Sequence, residues 1–156
     1  MSDAPQIAVV LDGIFRMHDG SLYYLLLLPL AAAVLCWILA SVSGWGRLAA
    51  DYRLDHPVTG ERAWMRTARI GPVNYHSVLS FTCTDEGLQI SIAFPFRFGH
   101  PPLFIPWCDF DHVVPDNKLF SNRIKASIGH PEIARVVLPA WVRYRMPMSL
   151  RGLAED

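Results

Sequence analysis

Polar and apolar positions along this chain change rhythm twice. From Gly20 to Gly46 there is no charged residue, and LYYLLLLPLAAAVLCWILASV, Leu22 to Val42, is almost wholly apolar. A helix of about 20 residues crosses the roughly 30 Å hydrocarbon layer of a bilayer, so this run is expected to span a membrane. Pro29 removes one backbone donor, which a span tolerates where neighbours or water take up the freed carbonyl. Tyr23 and Tyr24 at one end, and Trp45 and Arg47 at the other, stand where interfacial anchors belong. A cleaved signal peptide would open on a basic region and carry a shorter apolar core. Here Asp3, Asp12 and Asp19 face a single Arg16.

After the span, WGRLAADYRL keeps a helical period at Trp45, Leu48, Ala49 and Tyr52. The helix is therefore expected to run on as a juxtamembrane extension, over 21–54 in all. His56-Pro57 and Gly60 end it, giving a linker over 55–62. The period then falls to two, which predicts a β domain over 63–150 and a tail over 151–156. In VNYHSVLSFTCT, Val73, Tyr75, Leu79, Phe81 and Cys83 share one face. Asn74, His76, Ser80, Thr82 and Thr84 take the other. Asp85 to Gly87 makes a hairpin loop. LQISIAFPF then sets Leu88, Ile90, Ile92, Phe94 and Phe96 inward against Gln89, Ser91, Ala93 and Pro95, with Pro95 marking an edge or the end of pairing. LFIPW, RIKASI and IARVVL supply further strands. AWVRYR fits either a short closing helix or one more strand. Short strands with frequent turns predict a mainly β fold, a small antiparallel sheet or barrel behind one transmembrane helix.

Charge decides orientation rather than partner. Lys+Arg and Asp+Glu both number 14, so nothing in the balance points to nucleic acid. One Arg precedes the span, whereas Arg47, Arg53, Arg62, Arg66 and Arg69 follow it. The positive-inside rule places the β domain in the cytoplasm and the leader, 1–20, outside. Ile7, Val10, Leu11, Ile14 and Phe15 in that leader suit an amphipathic turn or two on the outer surface, or a disordered tail. Cys83 and Cys108 are expected as thiols in a reducing cytoplasm; the opposite orientation would permit a bridge between them.

Site chemistry is sparse. The six histidines are scattered, and Cys108 with His112, four apart, lacks the further ligands of a zinc site, so no metal or cofactor is expected. No Gly-x-Ser-x-Gly elbow occurs, and Cys83 on an apolar strand face reads as a buried, inert thiol. Asp109 and Asp111 would share a face if their segment were one strand. A hidden enzyme site would need residues such as His76, Cys108, Asp109 or His112 to converge; no catalytic residue is assigned. Alternation fails to bury Arg97, Phe98 and Phe104 clearly, and His100 sits at the adjacent turn. These four are the candidate contacts for a lipid or a partner. Arg62, Arg66, Arg69, Arg143, Arg145 and Arg151 could approach anionic head groups.

Across TDEGLQISIAFPFRFGHPPLFIPWCDF the chain resembles a family of uncharacterised bacterial single-pass membrane proteins. Those combine a short leader, one span and a small β domain with a Gly-Leu strand, a Gly-His-Pro-Pro turn and an Ile-Pro-Trp strand. The likeness runs from the span to about Leu138. Glu86-Gly87-Leu88 and Ile105-Pro106-Trp107 are also similar to the strand pattern of bacterial PH-like domains. That resemblance implies a bent antiparallel barrel capped by a carboxy-terminal helix, here Ala140 to Arg145. The expectation is a non-enzymatic interaction domain held at the inner membrane, binding a membrane or cytoplasmic protein or serving as an accessory subunit. Lipid head-group recognition is the alternative, and a small enzyme the third reading.

Overall fold

A computed structural model describes residues 4–56, 58–116 and 122–151, with side chains from Tyr23 onward except Leu25. The leader positions Ile7, Val10, Leu11, Ile14 and Phe15 lie outside the described side chains, as does the tail beyond Arg151. The chain divides into two compact units, Met1–Leu35 and Cys36–Asp156.

Helix α1 runs Ala4–Ser43 and contains Pro29. Its Leu- and Ala-rich sequence has high helix propensity. The window Leu26–Ser43 has a mean hydropathy of 2.3, long and apolar enough to cross a membrane. The expected unbroken extension is corrected at one residue. Gly44 takes a left-handed conformation, φ 78°, and ends α1, so that α2, Trp45–Tyr52, is a separate helix.

The rest of the second unit is a seven-stranded antiparallel half-barrel in the order β4-β3-β2-β1-β7-β6-β5. The strands are β1 Glu61–Ile70, β2 Val73–Cys83, β3 Gly87–Ile92, β4 Leu103–Pro106, β5 Phe110–Pro115, β6 Arg123–Ile128 and β7 Ala134–Pro139. Two meanders, β1 to β4 and β5 to β7, join where Arg69 and Ile70 pair with Val137 and Val136. A single 3₁₀ turn, Trp107–Asp109, links β4 to β5, the two outermost strands. Arg53 bridges to Leu103 and Leu54 N–H donates to Pro102 O at 2.9 Å, so residues after α2 line the outer side of β4. A 3₁₀ helix, Ala140–Arg145, and a short α3, Met148–Arg151, close the described chain, with α3 against β5.

One core fills the half-barrel. Leu79, Phe81, Leu88, Ile90, Leu103 and Ile105 are fully buried together with Trp45 and Leu48 of α2. Each such side chain contributes roughly 1.5–3 kcal/mol by leaving water. The opposite face of β2 and β3 departs from expectation. Ser80, Thr82, Gln89 and Ser91 are buried rather than outward. Three of them are accommodated by side-chain hydrogen bonds: Ser80 Oγ lies 2.8 Å from Ser91 Oγ, and Gln89 Oε1 accepts from Val58 N–H at 3.3 Å. The latter bond places the linker over this face.

The second correction concerns Phe94 and Phe96. β3 stops at Ile92, and two successive turns follow, Phe96 N–H donating to Ala93 O and His100 N–H to Arg97 O, each at 3.0 Å. Pro95 cannot extend the ladder. Phe94 is consequently 82% exposed and Phe96 46%.

Candidate interaction surfaces

Three places in the second unit gather chemistry. The first is the junction between the end of α1 and the sheet. Cys36, Ala40 and Ser43, spaced four and three apart, form a buried stripe, whereas Trp37, Ile38 and Val42 are exposed. Below that stripe Trp45 is wholly buried, its Nε1–H donating to Pro101 O at 2.9 Å. Its ring meets His100 edge-on at 4.9 Å between centroids, and Tyr75 at 5.7 Å. Tyr75 Oη stands 2.9 Å from Ser43 Oγ and 3.0 Å from His100 Nε2. His100 Nδ1 lies 3.0 Å from Phe98 O. Tyr75 O–H donates to Ser43 Oγ, so the His100 tautomer decides whether Nε2–H donates to Tyr75 Oη or Nδ1–H to Phe98 O.

Burial pushes His100 below the ordinary imidazole range, opposed by the carbonyls of Phe98 and Phe96. Burial likewise raises Tyr75; its bond to Ser43 opposes this and nearby Cys36 adds to it. A neutral His beside a neutral Tyr is the arrangement a low-dielectric pocket favours. Two residues expected at an outer boundary therefore sit inside: Trp45, expected as an interfacial anchor, and His100, expected as a contact. Their flat rings fill the space under the helix end, and each polar atom finds an internal partner. Arg47, Tyr23 and Tyr24 are exposed.

The second place is the loop after β3. Phe94, Phe96 and Phe98 are exposed, and so is Arg97, whose Nε–H donates to Ile92 O at 3.0 Å. Gly99, at φ +75°, packs against α1. A Cβ built there would lie 3.2 Å from Ala40 Cβ and 3.2 Å from Trp37 Cα. Phe104 is half-buried on β4 opposite Gln89, away from this run of aromatics in register.

The third place escaped the periodicity of the sequence. β1 pairs with β7 only at its last two residues, and the 3₁₀ helix Ala140–Arg145 flanks its first half. Between them is an open groove of about 450 Å³ lined by Arg62, Trp64, Arg66, Trp141, Tyr144 and Arg145 among others. Arg62 stacks its guanidinium 3.6 Å above the Trp64 ring. Trp64 and Tyr144 are exposed, and Arg145 pairs with Glu61. Trp141 packs edge-on against Phe81 in the core, and its buried Nε1–H has no acceptor among the described residues. The available signal was Arg62, Trp64 and Arg66 at alternate positions, matched by Arg143, Tyr144 and Arg145.

The four side chains weighed for catalysis do not all come together, although Cys108 Sγ–H donates to Asp109 Oδ1 at 3.6 Å. His76 is exposed on β2, with β1, β7 and β6 between it and β5 in the sheet order. Asp109 belongs to the 3₁₀ turn and Asp111 to β5, so they do not share a strand face. Asp111 instead pairs with His112 and His130 at 3.6 and 3.5 Å. Asp109 lies beside Tyr52, which burial first, and that carboxylate next, push up to about 12. Among the described residues no group of three His, Cys, Asp or Glu side chains could hold a metal ion. The three cysteines are free; burial raises the Cys83 thiol to about 11. No protein family, no curated protein and no solved structure matches the chain.

Proposed function

We propose that the chain is a single-pass protein of the bacterial inner membrane, leader outside, whose cytoplasmic β domain acts as a non-enzymatic interaction module of PH-like type. The apolar window of α1 and the arginines that follow it support the anchor and its orientation. A four-strand meander followed by a three-strand meander, with short helices at the end, supports the PH-like reading.

The observation that carries the interaction role is the groove beside β1. It combines exposed aromatic walls, Trp64 and Tyr144, with three arginines. Aromatic and Arg side chains dominate protein-binding hot spots. The occupant that fits is an acidic, extended segment of another protein, its carboxylates meeting Arg62 and Arg66 and its side chains lying against Trp64 and Tyr144.

Site-specific photo-crosslinking in native membranes tests this. A benzophenone side chain at Met65, exposed beside the groove, should yield a discrete adduct that Tyr144→Ser and Arg66→Glu abolish. The same side chain at His130, on the far meander, should yield none. Recovery of the chain alone from both positions, or an adduct indifferent to the groove substitutions, overturns the proposal.

A further inference from the structure

We propose that the loop bearing Phe94, Phe96 and Phe98 is seated in the interfacial layer of the same bilayer that α1 enters; this rests on the membrane-spanning reading above. The first ground is length. Leu22 to Leu35 reaches only about 21 Å at a rise of about 1.5 Å per residue, short of the roughly 30 Å hydrocarbon layer. The following turn, with Trp37 and Ala40, must then enter the lipid as well. That turn is where the β domain is attached, since Gly99 closes on Trp37 and Ala40.

The second ground is depth. Trp37 precedes Ser43 by about 9 Å along the helix axis. Counted from Leu22, about 30 Å of helix ends near Val42, so the loop level with Trp37 stands within about 8 Å of the hydrocarbon edge. The third ground is composition. Three consecutive alternate phenylalanines are exposed beside an exposed arginine. Exposed as they are, these rings would cost free energy in water, whereas aromatics at a lipid boundary are favoured and Arg97 reaches the head groups by extending its stem.

Seating the loop assigns lipid contact to Phe94, Phe96 and Phe98, with Arg97 beside them, rather than to His100, whose ring is enclosed by Trp45 and Tyr75.

Full-length protein reconstituted in phosphatidylcholine–phosphatidylglycerol vesicles tests it. In a Cys108→Ser background, Phe96→Cys and Phe98→Cys are each labelled with an environment-sensitive nitrobenzoxadiazole dye. Met65→Cys serves as the reference on the domain and Leu30→Cys as the reference within the span. With lipids spin-labelled near the top of the acyl chain, dye at 96 and 98 should lose about threefold more fluorescence than dye at 65, as expected for interfacial burial. Quenching at 30 but not at 96 or 98 overturns the loop's seating and leaves the span intact. Absence of quenching at all four sites overturns both. A blue-shifted but unquenched dye at 96 and 98 means that protein, not lipid, covers the loop, and overturns the proposal too.

Discussion

Trp45 donates its indole N–H to the carbonyl of Pro101 across 56 residues of sequence, joining the first turn of α2 to the approach of β4. With Leu48 it is among the fully buried side chains of the core. The β domain thus takes part of its interior from the helix that follows the apolar run.

Trp45→Ala should destabilise the domain by about 3–5 kcal/mol, the cost of a large cavity. Trp45→Phe keeps most of the ring contacts and leaves Pro101 O unpaired, a loss of about 1–3 kcal/mol. Denaturant unfolding of the detergent-solubilised protein, followed by near-ultraviolet circular dichroism, separates the two.

His100 predicts a pH dependence of definite sign. Its protonation range in the folded protein is lowered by burial, so the unfolded chain binds the proton more readily. The stabilisation is fully present above about pH 6.5, the ordinary value, and is lost as pH falls through the folded value. The denaturant midpoint should therefore drop between pH 8 and pH 5. His100→Gln, which keeps hydrogen-bonding capacity without titrating, should flatten that part of the profile.

Two glycines should respond oppositely. Gly99→Val forces a branched residue into φ +75° and against Trp37 and Ala40, at a cost of about 1–3 kcal/mol or more. Gly46, inside α2 with open space around its Cβ position, should accept Ala with a gain of about 0.5–1 kcal/mol. Thermal melts of the two variants against the parent decide.

Thiol labelling should be selective. Cys108 is exposed, Cys36 is buried, and Cys83 is both buried and raised to about 11. Maleimide at pH 7.5 should modify a single thiol on the folded protein, abolished by Cys108→Ser, and all three after unfolding in detergent and urea. Mass spectrometry of the intact chain counts them.

Where one side of a strand is apolar and the other charged, alternation marks the buried side, as in Ile124, Ala126 and Ile128 against Arg123 and Lys125. It failed where polar residues are buried in pairs. Ser80 with Ser91 looks like a solvated face until both strands are aligned, because each supplies the other's partner. It failed again on β1, where bulges around Arg66 and a positive φ at Met65 break the period and leave Trp64 outward. Phe94 and Phe96 continued the inward rhythm on paper, although Pro95 already marked the end of pairing. His100 and Trp45 needed contacts across the whole fold to be placed, which no local pattern contains. The groove was equally hidden, since its two walls are separated by most of the β domain in sequence.

Residues 53 and 54 occupy the outer side of β4, and α3 packs on β5, the last strand at the other end. Each of these rims is therefore already in contact with the chain's own backbone or helix. Edge-to-edge stacking on β4 or β5 would first have to displace these segments, whereas the first half of β1, unpaired with β7, stays open to an added strand.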